Sequence, residues 1–424
     1  MSLIASINRR NINYEKMYLY LLIAFAFSIP ISRALISFFT ILLPLIWLIE
    51  GDFKRKFNQI KENKAVLLLS LFIIFGYISL SWTEIENIKD GFSSVTKTIR
   101  LVLIPLLIVI TTLRPEHISK VITGFLMGML ISEILSYGIF FELWILPVGG
   151  GIPADPTPFM HHLDYSTFLT FTALLLLNRF FSTADWRLKA FYFVYFLFVT
   201  SNLFLNGGRT GHFAFAISIF VVGFLNIKNK FKAFFSMLLL VTAIFYAAYE
   251  ISPVFKERFD AGSAEVSKMQ EGHNSKYEGS FGIRLGAWII SKDIIKDNFF
   301  FGTGSGTENK KLYEYAKNHS DKSLQPIQEL INFHNQYIQI FVRLGLIGII
   351  LYIFMWYYIG KLDIKERNIS NLRYIFITVF FTASQVENIF ENQFPMAMFA
   401  LFIGIFIVMN KENEKFIITK REQI

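Results

Sequence analysis

Four groups of polar residues border apolar stretches in this 424-residue chain. They are His161, His162 and Asp164; Arg209 and His212 around Gly207-Gly208-Arg209-Thr210-Gly211; His334, Asn335 and Tyr337; and Glu387, Asn388, Glu391 and Asn392. Ionisable groups are expensive beside apolar spans and by default mark function. Histidine is the side chain suited to proton transfer near neutral pH. Arginine offers a planar fork that matches phosphate oxygens, and Arg284, which opens an amphipathic run, adds a second fork to that of Arg209. His334 and Tyr337 are spaced to share a helix face, as are Glu387 and Glu391, and that carboxylate pair suits orienting a base or binding sugar hydroxyls.

Other chemistries are argued against. The chain has no cysteine, so thiolate metal sites, iron–sulfur clusters, disulfides and a cysteine nucleophile are excluded. His161, His162 and Asp164 with His212 suggest a metal site, but adjacent histidines point to different helix faces and no His-x3-His pattern supports a cage, so no metal is expected. Gly302-Thr303-Gly304-Ser305-Gly306 has no preceding strand and no phosphate-loop lysine. It reads as a flexible turn, and no cofactor is expected.

The elements that carry these residues are membrane helices. The apolar set makes up 54% of the chain and charged residues only 17%, against about 25% in soluble domains. Apolar windows fall at about 17–32, 34–50, 65–82, 97–112, 120–142, 163–180, 190–206, 212–227, 233–250, 334–358, 373–390 and 394–410. Spans of about 20 residues then fill most of the sequence. The expected fold is an all-α polytopic membrane protein, one integral membrane domain over 1–424 with about 12 transmembrane helices. The first window lacks a cleavage site and reads as a retained helix.

Charge orients the chain. With the N-terminus inside, the inner segments hold 24 of the 41 lysines and arginines, from Arg9, Arg10 and Lys16 to Lys411, Lys415, Lys420 and Arg421. That satisfies the positive-inside rule at each inner loop. The net charge of +9 therefore serves orientation, and no nucleic-acid partner is expected. The stretch 251–332, between transmembrane helices 9 and 10, becomes a large periplasmic loop with 11 basic and 11 acidic residues. Its sequence predicts a helix over Arg284–Ile295 with Trp288 on the buried face, and a second from a Thr307 cap to about Lys317. Arg100, Glu133 and Arg343 fall inside spans, without assignable partners.

The stretches Arg284-Leu285-Gly286-Ala287-Trp288, Phe301-Gly302-Thr303-Gly304, His334-Asn335-Gln336-Tyr337 and Arg343-Leu344-Gly345-Leu346-Ile347-Gly348, together with Arg209-Thr210-Gly211, resemble the signature region of the O-antigen ligase and polymerase superfamily. The motif resemblance covers about 207–348. It implies a GT-C-like, metal-independent, inverting glycosyltransferase of the bacterial inner membrane with its active site facing the periplasm. The implied donor is a glycan on undecaprenyl diphosphate and the implied acceptor is lipid A–core. His334 would be the catalytic base and Arg209 and Arg284 the diphosphate contacts. Tyr337, Asn335, Glu387, His162 and Asp164 are further candidate substrate contacts.

Three activities fit this pattern: a ligase joining finished glycan to lipid A–core, a polymerase joining lipid-linked repeats, and a transporter or flippase of the same lipids. A transporter should show internal repeats and a mid-membrane site, whereas the polar groups here cluster at one face. The ligase is the leading expectation.

Overall fold

The computed structural model describes residues 13–61, 63–144, 151–270, 277 and 279–422. Arg9, Arg10, loop residues 271–276 and 278, and the side chains of Lys411, Lys415, Lys420 and Arg421 lie outside the described set. Apart from one isolated bridge between Ile152 and Asp155, the regular structure described is helical. The helices run α1 Tyr14–Ser28, α2 Arg33–Glu50, α3 Phe53–Ile60, α4 Lys64–Ile78, α5 Ile88–Thr98, α6 Ile104–Thr112, α7 Ile118–Phe140, α8 His162–Ser182, α9 Trp186–Leu205, α10 Arg209–Asn226 and α11 Lys230–Ile251. Three helices of the long loop follow, α12 Pro253–Gln270, α13 Gly279–Asp297 and α14 Glu308–Asn318, and then α15 Gln336–Gly360, α16 Arg367–Ala383 and α17 Gln393–Glu422.

Each of the twelve apolar windows is occupied by helix. Nine helices among the described residues are long and apolar enough to cross a membrane; α1 with 15 residues and α16 with 17 are short, and α8 carries His162, Asp164 and Arg179 within its length. Polar caps start several of these helices. The side chains of Ser32, Asn63 and Asn229 accept backbone N–H groups of the first turns of α2, α4 and α11, satisfying donors that a helix start leaves orphaned. Ser252 ends α11, and Pro253 opens α12 where a missing N–H costs nothing.

Packing is tightest around α8, whose residues from Asp164 to Asn178 are all buried. Phe125, Phe171, Phe376 and Phe402 meet edge to face there, with ring centroids 4.7–5.2 Å apart for the Phe171–Phe402, Phe171–Phe376 and Phe125–Phe402 pairs. Helix α7 lies against α1 through Gly124 and Gly128. A Cβ at these positions would stand 2.8 Å from Ile23 O and 2.2 Å from Phe27 O, so only glycine allows the backbones this close.

The helix ends sort onto two faces. Ends read as inner, including Tyr14, Glu50, Lys64, Arg114, Lys361 and Asn410, border one cavity. Ends read as outer meet the 251–332 loop and the links 151–161, 206–209 and 384–392 through the bonds described below.

Four expectations about local structure are corrected. Helix α13 is longer than the predicted 284–295 segment, and α12 was not anticipated, because its 18 residues carry too few apolar positions for a clear period. Helix α16 stops at Ala383, short of the predicted 390, so Glu387 and Glu391 do not share a helix face. Helix α15 begins at Gln336, which leaves His334 outside it and off the face of Tyr337. The glycine run at 302–306 is a docked wedge, not a flexible turn. Gly345 breaks α15 with φ 63°. The peptide groups freed by that break are paired by the wedge: Thr303 N and Gly304 N donate to Val342 O and Arg343 O, while Leu346 N donates to Phe299 O. Irregular backbone within a membrane helix is tolerated only when protein satisfies it in this way. The interlock explains why the Phe301-Gly302-Thr303-Gly304 and Arg343-to-Gly348 motifs occur together.

Candidate active site

His334 sits just before α15 with φ 46°, a left-handed conformation uncommon for residues other than glycine. Such strain costs on the order of 1–3 kcal/mol and persists where surrounding structure enforces it, often at functional sites. Asn332 Oδ1 accepts the His334 backbone N–H at 2.8 Å, and Asn335 caps α15 by accepting from Tyr337 N and Ile338 N. The imidazole Nδ1 lies 3.1 Å from Glu387 Oε2. In the tautomer where Nδ1–H donates to this carboxylate, Nε2 keeps its lone pair.

Glu387 is the hub. Its Oε1 accepts the Asn388 N–H at 3.0 Å, and Arg284 Nη2 lies 3.9 Å from Oε2. Burial pushes the carboxyl pKa up, but the hydrogen bond and charge of His334 outweigh it and hold the group below the ordinary range. Arg284 projects from α13, where Nη1 donates to Ser280 O and Oγ and Nε donates to Val386 O. Burial lowers its pKa from the usual arginine value. Arginine nevertheless stays charged, and its Nη2 has no other close acceptor among the described residues.

Arg209 occupies the first turn of α10, where backbone N–H groups also favour anions. Its Nη2 donates to Arg258 O at 2.9 Å and its Nη1 lies 3.7 Å from Glu265 Oε1. Arg258 lays its guanidinium against Gly207, 3.3 Å from where a Cβ would stand. Asp155 Oδ1 accepts the Gly207 N–H at 2.9 Å, and Oδ2 pairs with His162 Nδ1 at 2.8 Å. Burial pushes the Asp155 carboxyl up, yet these two bonds bring it below its ordinary value. The His161 ring packs tilted against that of His162, centroids 4.0 Å apart; burial lowers its pKa, and the charges of Asp155 and Glu387 act on it in the opposite direction.

The structure thus brings His334, Arg284, Glu387, Arg209 and His162 to the same face. The remaining candidates have structural partners. Asn335 uses its Oδ1 as the α15 cap and its Nδ2 to donate to Gln385 O. Tyr337 donates its hydroxyl to Phe381 O and packs on Tyr352 and Phe381. Buried Asp164 accepts from Asn392 Nδ2 at 2.9 Å, tying α8 to the 384–392 link. His212 is stacked on Phe204 with Nε2 2.9 Å from Leu203 O, away from His161 and His162. Among the described residues, the one cluster spaced to hold a cation is Glu15, Glu116 and His117, on the opposite face.

Arg343, unassigned from sequence, is held by Glu308 and Glu391, with Nε 2.7 Å from Glu308 Oε1 and Nη2 2.7 Å from Glu391 Oε1. Arg100 is exposed at the π-turn Ile99–Leu103. Glu133 is buried on α7 with neither carboxyl oxygen hydrogen-bonded. Sequence reasoning missed Asp155, Arg258, Glu265 and Glu308. Arg258 and Glu265 are seven residues apart and would have read as one face had α12 been recognised. Asp155 stands alone in an irregular link and carries no signal.

Comparison with known proteins adds two findings. Residues 194–353 match the family model for the O-antigen ligase domain, a stretch that includes Arg209, Arg258, Glu265, Arg284, His334 and Arg343. An uncharacterized protein of Haemophilus influenzae is 25% identical over 325 residues, which cover 75% of this chain and 77% of that protein.

Proposed function

We propose that the chain, whose residues 194–353 match the O-antigen ligase domain, is a ligase of the O-antigen ligase superfamily of glycosyltransferase-like membrane enzymes. It transfers a finished glycan from undecaprenyl diphosphate to lipid A–core at the periplasmic face of the inner membrane. The observation that carries this reading is the His334–Glu387 pair beside Arg284.

The geometry suits a single displacement. The acceptor hydroxyl oxygen attacks the anomeric carbon as the bond from that carbon to the diphosphate oxygen breaks, with inversion. The hydroxyl proton passes to His334 Nε2, while Glu387 holds Nδ1–H and stabilises the imidazolium that forms. The leaving diphosphate keeps the electron pair of the broken bond, and Arg284 Nη2 and Arg209 meet its growing charge in a partly desolvated site. Arginine supplies this stabilisation without a metal, so transfer should continue in EDTA. The polar residues lie where helices end, which suits a donor whose isoprenoid tail stays in lipid while its diphosphate reaches the outer boundary.

The lipopolysaccharide of a deletion strain tests this function. Loss of a ligase leaves lipid A–core bare and glycan of full length on the carrier lipid. A core capped with a single repeat would instead identify a polymerase and remove the ligase reading.

A further inference from the structure

On the opposite face, the ends of α1, α2, α4, α6, α15 and α17 enclose a cavity of about 1020 Å³. This is at the upper end of the ~300–1,000 Å³ common for small-molecule sites. Its floor includes Ala65, Ile110 and Val408, and charged groups line the walls. Most of those charges are already matched. Arg55 pairs with Glu50 at 2.9 Å and with Asp52 at 2.7 Å. Arg114 pairs with Glu15 at 2.5 Å, which places a guanidinium on the carboxylate that a metal ion would need.

Two lining cations differ. Lys64, at the first position of α4, and Lys361, just past the end of α15, have no ion pair among the described residues. Their ammonium groups lie over aromatic faces, Lys64 5.2 Å from the Tyr358 centroid and Lys361 4.7 Å from that of Tyr357. A ring face attracts a cation without satisfying its N–H donors; Lys361 also gives one donor to the Tyr357 side chain, but an ammonium has three, so both groups keep donors for an oxyanion. The two lysines sit at the boundary of membrane helices, on the face that the lysine and arginine count assigns to the cytoplasm. Basic pockets between membrane helices on that side suit anionic lipid headgroups.

We propose that this cavity binds the phosphate-bearing headgroup of an anionic glycerophospholipid, with Lys64 and Lys361 on the phosphate and the acyl chains continuing along the apolar helix surfaces. The proposal is independent of the transfer chemistry on the other face.

The test is thermal unfolding of the purified full chain in neutral detergent, titrated separately with phosphatidylglycerol, phosphatidylcholine and inorganic phosphate. Phosphatidylglycerol should raise Tm in a saturable way and phosphatidylcholine should not. Each of Lys64→Gln and Lys361→Gln should weaken the apparent affinity about fivefold, and the pair roughly 30-fold, whereas Lys228→Gln with Lys232→Gln on the same face should leave it unchanged. The Lys64→Arg and Lys361→Arg variants should retain affinity, which keeps the test valid if the glutamine pair folds poorly. An undiminished response in both single glutamine variants would overturn the site, as would equal weakening in the Lys228/Lys232 control. A saturable response to inorganic phosphate matching that to phosphatidylglycerol would assign a soluble ligand and overturn the lipid.

Discussion

Two arginines, Arg343 and Arg284, each meet a carboxylate from the link 384–392, yet their surroundings differ in kind. Arg343 is clasped by Glu391 and Glu308, with contacts of 2.5–2.7 Å, and Glu308 is itself buried and tied to Gly306 N at 2.7 Å. Arg284 donates mostly to Ser280 and a backbone carbonyl and stands 3.9 Å from a carboxylate shared with His334. A closed ion cluster holds structure together. An open one keeps donors for a ligand, and under the proposed function that difference is the one between scaffold and site within a single motif region.

The largest effect should come from the open cluster. His334→Ala should lower transfer by about 10²–10⁴-fold, the usual cost of losing a general base, while the protein still accumulates in the membrane; surface-glycan gels alongside membrane immunoblots read both. Next, Arg284→Lys should cost roughly 10²–10³-fold, the loss seen when one donor to a developing oxyanion is removed, because an ammonium cannot reproduce a directed fork. Lysine restoring full transfer would show that Arg284 acts as a point charge or as scaffold.

The closed cluster should respond through stability. Arg343→Ala leaves Glu308 buried without its partner, a change that typically costs about 3–5 kcal/mol, so its Tm should fall while transfer per folded molecule holds. If transfer falls with no change in Tm, the contrast between the clusters fails. Gly345→Ala should destabilise by about 1–3 kcal/mol, the cost of a left-handed alanine, and by more if the wedge shifts, since a Cβ there would stand 2.4 Å from Phe300 O.

The smallest effect concerns pH. The Glu387 pKa is depressed, so the pair it makes with His334 contributes stability above the unfolded value near 4.3, and that contribution is lost as pH falls through the lower folded value. Between about pH 5 and pH 3, Glu387→Gln should therefore lose less stability than the parent chain, as thermal melts across that range would show. Parallel losses would mean that Glu387 is not held as the charged form.

How much of this was legible in the sequence depends on range. Apolar runs mark the membrane helices because their signal is local, and the twelve windows are all helical. The His334, Arg209 and Arg284 candidates are visible as polar residues beside apolar stretches. What joins them is not. Glu387 reaches His334 across 53 residues, and Asp155 reaches Gly207 across 52, separations at which no periodicity survives. The glycine wedge reads as flexible because its partner, the turn broken at Gly345, is distant in the chain: Val342, which accepts from Thr303, lies 39 residues away from it. Helix α12 escapes because it is polar and its few apolar positions, such as the buried Phe255, set no clear period.

The central claim is that His334, held by Glu387, removes the acceptor proton while the arginines bind the donor diphosphate. The most direct measurement uses purified protein in lipid nanodiscs with a glycan on undecaprenyl diphosphate and a lipid A–core acceptor, comparing the parent chain with His334→Asn. Asparagine tolerates the left-handed backbone at this position but cannot take up the proton. If His334 is the base, donor affinity stays unchanged and Tm falls only by the modest contribution of the Glu387 pair, while transfer drops at least about 100-fold. Transfer by the asparagine variant at a rate close to that of the parent would contradict it.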